Sequence, residues 1–494
     1  MLLLTAAACG DSFIDREPFS QYTPEDFYSN EIQITQAVNG LYPVIRGFYT
    51  GANWVLGEFQ SDNTTFQYNP SDRGAEAFES LDYFLADASN GTFSGLWNNA
   101  YNGIARANFI LENINTAVFE EELNRNIRRG ETLFARAFYY YFLITYFGDV
   151  PKINRVYRDA EEAGELPRSP EAEIIDEIIL PDLEEAIQYL PVKWDSRNLG
   201  RASKAAAQML KARIHFYQRQ YREALPLLRA IVQSGQYALE NNYANVFDPK
   251  FEAGNREVIF STQHDVASGQ GAGYFINWLP NNSGTDLTGG AGSVFIGGLN
   301  GKNIPTQDML RAYEKGDKRY AAGIGIHINT STRDTIPYIK KFLHPPVLAN
   351  GTDTNFPVFR YAETILMLCE ALTETEAALS NEAIELLNTI RVRAGLELAY
   401  PGNPKDFLNV DTNEKLKVLL RRERRVELAF EGQRFQDLIR YDVLEETMVK
   451  HGEEQKKLQS FLDPLPTAYT RITEKVAIPF NEVLIYGYRQ NDGW

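Results

Sequence analysis

Apolar residues recur at helical spacing through long stretches of this chain, at 96–114, 126–147, 170–190, 204–219, 221–234, 358–379, 381–394 and 413–430. A repeat of three to four residues lines those side chains along one face of a helix, and such faces are stable only when buried against one another. A mainly α fold is therefore expected. With 494 residues, 44% hydrophobic and 23% charged, the chain has the length and balance of a packed body with a sizeable core.

Four of the stretches read as two helix pairs with one internal spacing. Ala212 and Ala224 stand twelve apart in the first, Ala371 and Ala383 twelve apart in the second. Small residues belong where helices cross closely. In the first pair Ala207, Leu210, Tyr217, Tyr221 and Ala224 fall near the packing positions of a tetratricopeptide unit of about 34 residues. Stacked pairs of this kind bury a continuous core between them. Trp97 sits on a helical pattern and is assigned to that core.

Two regions break the helical texture. Residues 47–94 and 246–357 are rich in Gly, Asn, Thr, Ser and aromatics, as in Gly269-Gln270-Gly271-Ala272-Gly273-Tyr274. They read as loop-rich insertions on the helical frame, with short strands expected at 257–262 and 325–328. Loops carried on a rigid frame are where binding is usually placed.

The chain opens Met1-Leu2-Leu3-Leu4-Thr5-Ala6-Ala7-Ala8-Cys9-Gly10, an apolar run ending in small residues before a cysteine. That is similar to a bacterial lipobox, in which the cysteine thiol is acylated and becomes the new N-terminus; the short h-region and missing basic start suggest a truncated signal. Residues 1–9 are thus expected to be a lipoprotein signal ending at lipidated Cys9, 10–33 a tether broken by Pro18 and Pro24, and 34–494 one helical body. Cys369, in an apolar helical run, is expected to be a buried thiol, so no disulfide framework exists.

A formal charge of −17 repels phosphate backbones, which argues against a nucleic-acid partner. The mixed-sign run Arg421-Arg422-Glu423-Arg424-Arg425 with Glu427 and Glu431 is expected to pair along a solvated or interhelical face. The five histidines are scattered without metal-ligand spacing, and neither a nucleophile elbow nor a phosphate loop occurs, so no metal, cofactor or catalytic residue is assigned.

Over nearly its whole length the chain resembles the SusD/RagB family of nutrient-binding outer-membrane lipoproteins. The resemblance is carried by the lipobox-like start, by Arg136-Ala137-Phe138-Tyr139-Tyr140-Tyr141-Phe142, by Gly200-Arg201-Ala202-Ser203-Lys204, by Phe359-Arg360-Tyr361-Ala362-Glu363, by Arg391-Val392-Arg393-Ala394-Gly395 and by Phe430-Glu431-Gly432-Gln433-Arg434-Phe435. It implies a helical body with tetratricopeptide-like pairs and a ligand site made by inserted loops. It also implies a lid-like role over a SusC-like, TonB-dependent barrel, with the protein lipid-anchored in the outer membrane and facing outward. Glycans are the family's usual cargo, and RagB-like members are associated with peptides.

A glycan site needs flat aromatic faces for sugar rings and polar side chains for their hydroxyls. Both loop regions supply them. The candidates are Trp54, Asp62, Asn63, Phe66, Tyr68 and Arg73 in the first, and Tyr274, Asn277, Trp278 and Phe295 in the second. Any one of these aromatics is more often packed under a loop than exposed, so the case rests on their clustering. Two other classes stay open on sequence grounds: an all-helical glycoside hydrolase, since hydrolysis needs only two well-placed carboxylates, and a tetratricopeptide scaffold for protein partners.

Overall fold

The computed structural model describes residues 27–67, 76–281, 283, 285–289, 301–329, 333–349, 351–459, 462 and 465–494. The proposed lipidation site Cys9 and the candidates Tyr68, Arg73 and Phe295 lie outside them.

The longer helices, numbered along the chain, are α1 (Glu31–Asn39), α2 (Tyr42–Thr50), α3 (Gly91–Asn113), α4 (Glu122–Phe147), α5 (Leu180–Tyr189), α6 (Lys204–Tyr217), α7 (Tyr221–Gln233), α8 (Tyr361–Thr375), α9 (Asn381–Ala394), α10 (Asn413–Glu427) and α11 (Leu444–Leu458). Each from α3 packs on the next as far as α9, and α10 closes against α8 and α9. The fold is mainly α, built of tetratricopeptide-like pairs. Among the described residues no helix is long and apolar enough to cross a membrane.

Local chemistry explains these elements. From Gly130 onward α4 is buried on nearly every face, which makes it the central helix, as its aromatic run requires. Gly103 lets α3 approach it: a Cβ there would stand 2.5 Å from the Tyr139 ring, and the Tyr139 hydroxyl donates to the Leu41 carbonyl at 2.8 Å. Ser203 and Ser380 cap α6 and α9 by accepting from backbone N–H groups of the first turn. Ala212, Ala224, Ala371 and Ala383 are all fully buried, and the Cys369 thiol donates to the Ala383 carbonyl where α8 crosses α9. Trp97 is buried against Tyr101 and Phe147.

Strands are short: β1 (Thr64–Thr65), β2 (Val150–Pro151), β3 (Arg168–Ser169), β4 (Val258–Thr262), β5 (Ile304–Pro305), β6 (Ile324–Ile328), β7 (Thr335–Ile339) and β8 (Phe356–Arg360). They form four antiparallel pairs, β1 with β5, β2 with β3, β4 with β8 and β6 with β7. The strands expected at 257–262 and 325–328 are β4 and β6. Residues 358–360 are strand rather than the start of a helix: Pro357 and the fully buried Val358 and Phe359 extend against β4, and α8 begins at Tyr361. Residues 47–94 are also less loop-like than expected. A short helix and a π turn carry the chain from Ala52 to Phe59, and a helix spans Glu76–Asp82.

The mixed-sign run of α10 faces other elements, not water. Glu423 and Glu427 join Glu257, Asp317 and Glu431 around Arg319, Arg360, Arg391, Arg393 and Lys341, all of them buried. Asp317, Arg319 and Lys341 of the insertion are bound to the helical stack through this network.

Candidate functional site

The two loop regions meet, although residues 95–245 lie between them. Thr64 pairs with Pro305 and Thr65 with Ile304. Beyond the strands the Gln67 N–H donates to the Gly301 carbonyl at 2.8 Å, and its side-chain carbonyl accepts from the Asn281 N–H at 2.8 Å. Gly301 and Lys302 in turn donate to the carbonyls of Leu279 and Asn277. Gln67 and Gly301, the last described residue before 68 and the first after 300, therefore lie side by side.

Beneath this junction lies an aromatic cluster. Trp54 and Trp278 touch edge to face with centroids 5.7 Å apart, and Trp278 lies 5.4 Å from Tyr274 and 5.9 Å from Phe342. Clustering is as the sequence suggested, but its role differs. Trp54 is 3% exposed, Phe66 2% and Trp278 0%. Protein covers their ring faces, so these three are floor and core rather than a stacking platform. Lys302 sits over Phe78, which stacks on Trp54 and closes the cluster from that side.

Asp62 and Asn63 are likewise turned inward. Asp62 is chelated by Arg434 at 2.7 Å and Arg425 at 3.0 Å, and against the burial that would raise it these guanidiniums hold its carboxyl well below the usual range. Asn63 donates to Glu58 at 2.7 Å and accepts from Arg425 at 2.8 Å. Glu58, pushed up to about 7 by burial, also receives the N–H groups of Phe430 and Gly432. These residues fix the loop base to the 425–434 turn. Gly432, at φ +75°, is needed there because a Cβ would stand 2.3 Å from the Asn53 amide.

Tyr274 is also buried, at 4% exposed, but together with Asn277 it lines a recess at the edge of the junction with Arg46, Thr50, His264 and Gln270. Asn277 is half-buried. Among the described residues the Tyr274 hydroxyl and the Trp278 indole N–H, buried beneath this surface, meet no hydrogen-bond partner. Buried polar atoms of this kind are ordinarily satisfied by water or a ligand. Burial lowers His264 to about 4, so it is neutral at physiological pH and contributes hydrogen bonding rather than charge.

Arg46 also lines a hollow with Tyr42, Asn198, Gly200, Arg201, Ser261 and Gln263. That hollow shares Asn198, Arg201 and Gln263 with a cleft walled by Trp194, Tyr237 and Phe260, which encloses about 940 Å³ including its mouth. Trp194 and Tyr237 are half-buried, with the indole N–H donating to the Ala202 carbonyl at 2.8 Å. Sequence reasoning did not select Arg46, Trp194, Arg201, Tyr237 or Gln263. They come from α2, the turn before α6, the segment after α7 and the end of β4, and the only local sign was the motif at Gly200-Arg201-Ala202-Ser203.

Comparisons with known proteins agree with this architecture. The family model described as SusD family matches residues 282–490, and one described as starch-binding associating with outer membrane matches residues 12–216. The SusD-like protein P2 of Formosa agariphila is 27% identical, covering 94% of this chain and 95% of its own length. A SusD-like protein of Bacteroides ovatus is 24% identical over 88% and 80%. Among solved structures, a laminarin binding SusD-like protein matches with a TM-score of 0.74 at 23% identity, covering 94% of this chain and all of that one. Surface glycan-binding protein A from Bacteroides thetaiotaomicron, in complex with laminarihexaose, matches with a TM-score of 0.72 at 22% identity and the same coverage.

Proposed function

The chain belongs to the SusD/RagB family, and from that footing we propose that it is a non-catalytic glycan-binding lipoprotein of the outer membrane that captures oligosaccharide and hands it to a SusC-like, TonB-dependent transporter. The observation that carries the reading is the convergence of both loop regions at one junction, beside a recess whose buried tyrosine hydroxyl meets no partner among the described residues. The hydroxyls of a sugar can exchange hydrogen bonds with Tyr274, Asn277 and Thr50, and its ring can cover any aromatic that the junction presents. We assign Tyr68, Arg73 and Phe295, which lie outside the described residues, to the same contact set. Solved relatives named for glycan or laminarin binding support the cargo class. The outer-membrane setting is supported by the description of the matching family model, and Cys9 is the proposed anchor.

Native affinity gels cast with a panel of polysaccharides test the reading, with the same mixtures assayed for released sugars. Retardation by at least one polysaccharide without product is the expected result. Turnover abolished by a single carboxylate substitution would replace the binding role with hydrolysis, and retardation by none would remove the glycan assignment.

A further inference from the structure

The recess and the hollow share Arg46, and their charge does not follow that of the protein, whereas the cleft beyond them carries Asp248 and Glu252 beside Lys193 and Arg256. The chain carries −17 overall. Yet the hollow is lined by Arg46, Arg197 and Arg201 and by no carboxylate, and the recess by Arg46 alone. Two of these guanidiniums are compensated from behind, Arg201 by Glu131 at 2.8 Å and Arg197 by Asp195 at 2.9 Å. Arg46 is not. Its nitrogens reach the Gln263 backbone carbonyl at 3.3 Å and the side-chain amide of Gln270, and among the described residues no carboxylate stands in ion-pair range of it.

We propose that this part of the surface seats an acidic sugar residue, one bearing a carboxylate or a sulfate, with Arg46 as the residue that fixes the anion. The proposal rests on the glycan reading above and sharpens it. A guanidinium presents a planar fork of donors matched to two oxygens of a carboxylate or sulfate. Arg46 is half-buried, where such a pair is stronger than in open water. Gln270 is exposed and offers only a neutral amide oxygen, which an anion displaces. Around it Asn198, Ser261, Thr262 and Gln263 supply hydrogen-bonding groups for ring hydroxyls. The recess and the hollow have volumes of about 490 and 370 Å³, each room for a small ligand, and both are lined by Arg46, so a short oligosaccharide has space on either side of it.

Titration calorimetry on the full chain, with an oligogalacturonate, a sulfated carrageenan oligosaccharide and neutral laminarihexaose, tests it. The expected result is tighter binding of one acidic probe than of the neutral one, weakening as salt is raised. The preferred acidic probe tells carboxylate from sulfate. Arg46→Gln lowers affinity for that probe by about tenfold or more and leaves laminarihexaose unchanged, while Arg46→Lys, which keeps the charge without the fork, falls between. Denaturation midpoints check that both variants fold, and the salt dependence of the parent chain tests the charge should they not. Preference for the neutral probe, or an acidic probe indifferent to Arg46→Gln, overturns this inference and leaves the glycan reading standing. If neither these probes nor the polysaccharide panel bind, both fall.

Discussion

Arg360 holds Glu427 twice: Nη1 donates to a carboxylate oxygen at 2.6 Å, and Nη2 donates to the backbone carbonyl of the same residue at 2.6 Å. Both residues are buried, and Arg319 and Arg393 converge on the same carboxylate. The end of β8 is thereby tied to the last turn of α10, and the insertion to both.

Removing the carboxylate leaves three guanidiniums buried with one anion fewer. Glu427→Ala is expected to destabilise the protein by about 3–5 kcal/mol, the usual scale for breaking a buried ionic network from one side. Chemical denaturation gives the value. A change below about 1 kcal/mol would mean that the network relaxes around the loss.

Asp82 predicts a pH dependence. Burial pushes its carboxyl up to about 7, against the hydrogen bonds it accepts from Thr65, the Phe66 N–H and Tyr469. In the unfolded chain an aspartate titrates near 4. Between those values the folded state binds the extra proton, so this residue's contribution is full below about pH 4, declines as pH rises and levels off above about 7. The decline amounts to at most about 4 kcal/mol. Buried His264 acts in the opposite sense, losing stability as pH falls from about 6.5 towards 4. Buried Glu58, also raised to about 7, contributes a decline of the same sign, so the test is a difference: denaturation midpoints of Asp82→Asn and the parent chain across this range, with the variant declining less.

Trp278 and Asn277 are neighbours with different expected phenotypes. Trp278→Ala opens a cavity in the aromatic cluster and should cost about 3–5 kcal/mol of stability. Asn277→Ala, at the lip of the recess, should leave the denaturation midpoint unchanged and weaken glycan binding by roughly 1 kcal/mol. Binding isotherms beside melts separate the two, and equal behaviour in both assays would remove the distinction between floor and lip.

Cys9→Ala should move the protein from the membrane fraction to the soluble one on cell fractionation, since one covalent lipid site is proposed to hold it. Retention in the membrane fraction would locate the attachment elsewhere.

Much of the frame was legible because it is local. The 3.6-residue period marked the long helices, paired alanines marked the crossings at α6 with α7 and α8 with α9, and alternation marked β4 and β6. Glycine-rich texture misled at 47–94, where neighbouring elements stabilise short helices that intrinsic propensity alone would not form. At Val358 helical spacing misled because a partner strand, distant in sequence, was waiting at β4.

The sequence by itself determined which segments are helical, which residues are small enough for close crossings, and that aromatic and polar side chains gather in two interruptions of the frame. Only the tertiary structure decided which side of the surface each of those side chains occupies. Trp54 and Trp278 have the composition of a ligand platform and became its floor. Arg46, Arg201 and Gln263, unremarkable where they stand in the chain, came to line one hollow. The physical reason is that periodicity is set by covalent geometry a few residues long, whereas coverage and uncompensated charge depend on what other parts of the chain bring to the same place.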